Sequence, residues 1–247
     1  MSPSMNEKGF SVSQAVRFGW KTAKSHLGFL IPFYLAGYIV IAAPAVAAFS
    51  LKGKILSQGL LFLAIIPLSI IVFMGFIKTS LKFSNGETGT FSDLFSSAHL
   101  FFKFLGASIL NTLVVGALPG LLFAALLSFF PTLFKSSPMD VARGFGLTLF
   151  FPILVAFTSF WVVIWSIRLS LFPHFVVDKG FGPVASLKAS FRATKGVFWD
   201  EMGLGLALGV INYLGILCFA VGYFIFTLPL SFLAIAHVYQ KLGGEKT

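Results

Sequence analysis

The chain has 247 residues, 57% of them hydrophobic and only 11% charged, with a formal net charge of +10. A soluble domain carries roughly 25% charged residues, so a water-facing globule is excluded. The expected fold class is all-α, one integral membrane domain over residues 1–247. Basic residues lie between apolar runs, which makes the anionic membrane surface the expected partner and not nucleic acid.

The stretch Glu7 to Lys24 reads EKGFSVSQAVRFGWKTAK. Arg17, Lys21 and Lys24 fall at i, i+4 and i+7 and share one helix face. Val16, Trp20, Ala23 and Leu27 form an adjacent apolar stripe. This predicts a short basic amphipathic helix lying in the membrane interface. The apolar run Leu27–Ser50 follows. A signal h-region spans about 7–15 residues, so this longer run is read as a retained transmembrane helix. A second run covers Ile55–Lys78. The segment NGETGTFSDLFSSAHLFFK, Asn85 to Lys103, carries the stripe Phe91, Phe95, Ala98 and Phe102 with Lys103 at its end. Runs Phe104–Phe130 and Phe145–Ser166 come next. Asp178 to Lys195 then reads DKGFGPVASLKASFRATK. The last apolar block is too long for one crossing of about 20 residues. It is divided at Ala220-Val221-Gly222 into Met202–Phe219 and Gly222–Tyr239, giving six spans. Cys218, the lone cysteine, reads as a small buried hydrophobe.

With six spans and a cytoplasmic N-terminus, fourteen of the eighteen Lys and Arg residues fall inside and four outside. Cytoplasmic loops carry such an excess, so both termini are expected in the cytoplasm. Pro32, Pro44, Pro67, Pro119, Pro152 and Pro229 fall within spans, where neighbouring helices re-satisfy the freed carbonyls. Gly205 and Gly209 form a GxxxG, a spacing that permits close backbone approach. Arg168 closes the fourth span and is expected to snorkel toward headgroups.

The stretches at Glu7 and Asp178 align without gaps. Arg17 meets Lys188, Trp20 meets Phe191, Lys21 meets Arg192 and Lys24 meets Lys195. The chain therefore reads as three tandem units, approximately 7–78, 85–168 and 178–240, each an interfacial helix followed by a helical hairpin. Convergence of juxtamembrane helices on basic and aromatic residues is the alternative, although it leaves the shared lead-in EKGF/DKGF unexplained.

The segment VVDKGFGPVASLKASFRATK ending at Lys195, the following hairpin, TLPLSFLAIAHVYQKL from Thr227 and the middle stretch SNGETGTFSDLF together resemble a bacterial family. Its members are six-helix membrane proteins similar to the membrane domain that precedes some glycerophosphodiester phosphodiesterases. The resemblance lies in pattern and covers the last quarter of the chain best. It implies an integral membrane protein, with the bacterial inner membrane as its location. Since no phosphodiesterase domain accompanies the segment, that activity does not carry over.

None of the eight acidic residues lies in an expected span, which argues against a proton-coupled pump. Asn111 and Asn212 are the intramembrane amides. They read as interhelical packing groups or as a polar path. His26, His99, His174 and His237 fall near the cytoplasmic interface without metal-ligand spacing. His174 and Asp178 stand at i, i+4 without a third ligand. No nucleotide or hydrolase motif is present, and no catalytic residue or cofactor is expected. The expected function is a non-enzymatic protein engaging lipid at the cytoplasmic leaflet, as an accessory or lipid-handling subunit with room for a membrane protein partner. Arg17, Lys21, Lys24, Lys188, Arg192 and Lys195 are the candidate headgroup contacts. A transporter or lipid translocator with a path between units is the alternative.

Overall fold

The computed structural model describes residues 9–51, 54–129, 138–217 and 222–243, with side chains in the fourth long helix described from Phe151 onward. Cys218 and the lead-in residues Glu7 and Lys8 lie outside the described residues. Among the described residues ten α-helices follow in order: α1 Val12–Ser25, α2 Leu27–Ser50, α3 Ile55–Ser84, α4 Asp93–Ser96, α5 Phe101–Phe129, α6 Pro138–Arg168, α7 Phe172–Lys179, α8 Pro183–Ala193, α9 Phe198–Leu217 and α10 Leu228–Gly243. A 3₁₀ turn, Ala98–Leu100, precedes α5, and a π-helical turn, Tyr223–Thr227, leads into α10. No strand occurs among the described residues. Among the described residues six helical segments are long and apolar enough to cross a membrane, and the protein is a multi-pass helical membrane protein.

The six long segments match the expected runs and extend past them at the basic ends. The second runs on from Lys78 to Ser84, the third begins at Phe101, and the fourth reaches Arg168. Hydropathy reports where lipid begins, while backbone hydrogen bonding continues into polar sequence. The expected division at Ala220-Val221-Gly222 falls largely on residues outside the described ones; on either side of it, α9 runs to Leu217, helix is present again from Gly222, and Asn212 of α9 bonds Ser231 of α10. Pro229 has no N–H and its ring crowds the carbonyl four residues back. The π turn just before it widens the backbone there, and Thr227 and Ser231 return hydroxyl bonds to the carbonyls of Tyr223 and Thr227 at 3.4 and 2.8 Å.

Packing is concentrated at one end of the bundle. In α2 the buried side chains cluster at Leu30, Phe33, Tyr34 and Gly37, near its start, and in α3 they begin at Val72 and run to Phe83. The helix α10 is buried from Pro229 to Tyr239. It runs parallel to the second half of α3, with Phe76 beside Phe232 and Ser84 Oγ donating to Gln240 Oε1 at 2.8 Å. These two helices join two cores. One contains α1, α2, α9 and their partners around Tyr34, Phe76 and Leu230, and the other contains α5, α7 and α8 around Met74, Leu171 and Val176. Away from this end, large apolar side chains such as Ile55, Leu60, Leu121 and Phe123 are exposed. Contiguous apolar surface on this scale is unfavourable in water and is what a lipid-facing wall requires.

The buried face of α1 differs from the expected stripe. Ala15, Gly19 and Ala23 are buried, while Trp20 keeps half its surface exposed. The cause is a backbone approach: a Cβ on Gly19 would stand 2.7 Å from the Leu230 carbonyl oxygen of α10. Small residues at i, i+4 and i+8 permit that contact. On α3, Gly75 does the same for α4, since a Cβ there would meet the Leu94 backbone at 2.6 Å. The GxxxG glycines Gly205 and Gly209 instead have nothing within 4 Å, so no other part of the described chain approaches them.

The short helix α7 has no counterpart among the expected elements. Its eight residues are too few to span, yet Phe172, His174, Phe175, Val176 and Val177 are buried. Gly180, in the left-handed region at φ +63°, closes it, with the Gly180 and Phe181 N–H groups bonding the Val176 and Phe175 carbonyls. The Gly180–Val176 bond is the 5→1 bond of an αL cap, a conformation glycine adopts without steric cost. The glycine of DKGF thus ends one helix, and α8 opens three residues later on Pro183.

Candidate functional site

The six candidate headgroup cations sit on α1, on α8 and just beyond its end. Arg17, Lys21, Lys24, Lys188, Arg192 and Lys195 are all exposed. Helical spacing puts Arg17, Lys21 and Lys24 on the face opposite to the small-residue contact with α10. On α8 the buried residues are Ser186, Leu187 and Ser190, with Thr194 buried at its end. Ser190 Oγ and Thr194 Oγ1 both donate to the Arg168 carbonyl at 3.1 Å, and Ser190 Oγ accepts the Leu171 N–H at 3.1 Å. The rigid attachment of each helix therefore leaves its cations pointing away from the protein. Both α1 and α8 also touch α10.

Among the described residues none of the six cations forms a hydrogen bond or ion pair. Other cations of the same end are engaged. Lys82 pairs with Asp93 at 2.6 Å, Lys103 donates to the Gly180 carbonyl at 2.9 Å, and Lys179 donates to the Gly243 carbonyl at 2.8 Å. Lys241 reaches Gln14 at 3.2 Å. Arg168 donates to the Thr194 carbonyl at 2.8 Å and lies over the rings of Phe191 and Phe198, 5.5 Å from each centroid. Arg168 therefore locks α8 and α9 to the end of α6, where the expectation was a free, snorkelling side chain. The guanidinium stays because two aromatic faces and a carbonyl satisfy it.

The middle segment is built differently. Its helix is one turn, Asp93–Ser96, followed by a 3₁₀ turn. Phe91, Phe95 and Phe102 of the expected stripe are exposed, at 50%, 48% and 80%. Asp93, at 3% exposure, holds the segment down through Lys82 and the Thr90 N–H, which bonds its Oδ2 at 2.8 Å. Sequence reasoning did not single out this pair. Its signal was an acid three residues after Thr90, in a segment short of cations.

Asn212 does not stand open. Its Nδ2 and Oδ1 engage Ser231 Oγ at 3.1 and 3.2 Å, across the hairpin of α9 and α10. Asn111, on α5, forms no hydrogen bond among the described residues. The histidines are dispersed. His26 and His99 bond carbonyls of their own turns through Nδ1, and His237 stacks on Phe18 at 4.3 Å. His174 is buried against Tyr239 at 5.4 Å. The expected neighbour of His174, Asp178, instead accepts a hydrogen bond from the Tyr239 hydroxyl at 2.8 Å. No group of three or more His, Cys, Asp or Glu that could hold a metal occurs among the described residues. Comparison with family models, with curated proteins and with solved structures finds no match to this chain.

Proposed function

We propose that this is a non-enzymatic membrane protein whose packed end binds the anionic headgroups of the cytoplasmic leaflet of a bacterial inner membrane, as a lipid-handling or accessory subunit. The observation that carries the reading is the contrast between two sets of cations. Five cations of the packed end are consumed by protein contacts, while Arg17, Lys21, Lys24, Lys188, Arg192 and Lys195 are exposed and unpaired. Near an anionic leaflet each such cation contributes about 1 kcal/mol. In this arrangement α1 and α8 lie in the interface, with Trp20 and Phe191, both partly exposed, turned toward acyl chains.

The tandem-unit reading gains support from the same helices. Buried Ala15, Gly19 and Ala23 of α1 align with buried Ser186, Ser190 and Thr194 of α8. Gly19 meets the Leu230 carbonyl of α10 as Ser190 meets the Arg168 carbonyl of α6. Each unit's short helix thus leans on the second long helix of the preceding unit. The middle unit's α4 leans on α3, and α1 closes the cycle on α10. The polar-path alternative has weaker support, because Asn212 is occupied by Ser231.

The test is gentle purification from a membrane of mixed lipid composition, followed by mass spectrometry of bound lipid and protein. The native chain should retain anionic lipid over zwitterionic lipid. The variant with all six cations changed to Gln should lose that enrichment. Equal enrichment in both proteins would refute the reading. A stoichiometric protein in the same sample would identify the accessory role.

A further inference from the structure

A groove of about 320 Å³ opens between α5, α6 and α8. Its walls are Leu110 and Val114 from α5, Trp165 and Leu169 from α6, and Leu187 and Phe191 from α8. Two fixed points create it. Pro183, at the start of α8, is pressed against α5 at Gly106, where a Cβ would come within 2.9 Å of its ring. The far end of α8 is tied to α6 through Ser190 and Thr194 on the Arg168 carbonyl. Between these points α8 bridges the α5–α6 cleft without filling it. The aromatic wall is braced, because Phe191 stacks on Trp165 at 6.0 Å and carries Arg168 on its ring. Leu110 and Val114 are one and two turns further along α5 than Gly106, so the slot runs from the interfacial helix toward the bilayer interior.

Among the described residues Lys188 is the one charged side chain lining the slot. It is exposed and unpaired, and Arg192 follows one turn later on α8. An apolar slot alone would accept any hydrocarbon. A slot with a free cation at the level of the headgroups has complementary charge for an anionic lipid. We propose that this groove is a bound-lipid site holding one acyl chain of an anionic phospholipid, with the headgroup phosphate on Lys188. The proposal rests on the headgroup reading above and adds a chain-binding site with a single determining cation.

Trp165 provides the readout. Trp20, Trp161 and Trp199 are changed to Phe, and the full chain is reconstituted in phosphatidylcholine vesicles. Phosphatidylglycerol or phosphatidylcholine with brominated chains is added at equal mole fraction. Quenching of Trp165 should half-saturate at about fivefold lower mole fraction of the anionic lipid, the effect of one cation at an anionic leaflet. Lys188→Gln should erase the preference, Lys188→Arg should keep it, and Val114→Phe, which fills the slot, should weaken quenching by both lipids. Equal quenching by the two lipids in the native chain would overturn the proposal, as would a preference that survives Lys188→Gln. Equal quenching together with anionic enrichment that depends on the six cations would remove the groove site and leave the headgroup reading standing. Enrichment unaffected by the six cations would remove the headgroup reading itself.

Discussion

At Gly19 the backbone of α1 comes close to the backbone of α10. A Cβ there would lie 2.7 Å from the Leu230 carbonyl oxygen and 3.2 Å from the Cβ and N of Ala234. Two of these three atoms belong to helix backbone and cannot swing aside, so a larger side chain must push α1 off α10. Overpacking costs about 1–3 kcal/mol, and Gly19→Leu belongs at the upper end because a backbone is involved. Leucine's better helix propensity returns about 0.8 kcal/mol. The net loss is about 2 kcal/mol, roughly a thirtyfold rise in the fraction of molecules with α1 detached. Trypsin reports that fraction directly, because Arg17, Lys21 and Lys24 lie in α1, and cleavage of a rapidly opening segment follows its open population. Gly28→Leu is the control, since nothing lies within 4 Å of that position. Cleavage in α1 should speed up for Gly19→Leu alone, with cleavage at Lys188 and Arg192 unchanged. A native rate of cleavage in α1, or equal acceleration in α8, would refute the reasoning.

Lys82→Met should lower the thermal midpoint in detergent. It leaves the Asp93 carboxylate buried with the Thr90 N–H as its remaining partner, at a cost of about 2–4 kcal/mol, below the fully buried range because a quarter of Lys82 is exposed. The double variant Lys82→Met/Asp93→Leu should recover most of the loss. Asn212→Leu removes the Ser231 pair and should cost only about 0.6 kcal/mol, the average for such bonds in membranes. A much larger fall, or lost lipid retention, would mean Asn212 does more than join α9 to α10.

The long helices were legible because each is a run of apolar residues whose length must match the bilayer, a local property. The cations of α1 and α8 were legible for a similar reason, since helical spacing alone puts them on one face. What the chain did not disclose depends on partners distant in sequence. Gly19 and Gly75 carry the close approaches, yet nothing around them differs from Gly205 and Gly209, which stand open. The stripe Ala15, Gly19, Ala23 is too small to stand out beside Trp20 and Leu27, because hydropathy weighs bulk whereas backbone contact requires its absence. Helix α7 is hidden in an apolar run too short to span, and its burial comes from α3, α5, α8 and α10 packing around it. The groove exists only because α8 is fixed at two points that belong to different helices.

The contact of α1 with α10 also sets a timetable for synthesis. Helix α1 leaves the ribosome well before α10, which follows about 200 residues later. At roughly 5–20 residues per second, α1 waits on the order of 10–40 s before its partner exists. During that interval the stripe Ala15, Gly19 and Ala23 lacks the helix it packs against, and on the headgroup reading proposed above its cations and Trp20 would hold α1 to the membrane surface. The same amphipathic helix would then serve first as a temporary mooring for the nascent chain and afterwards as one half of the α1–α10 clasp.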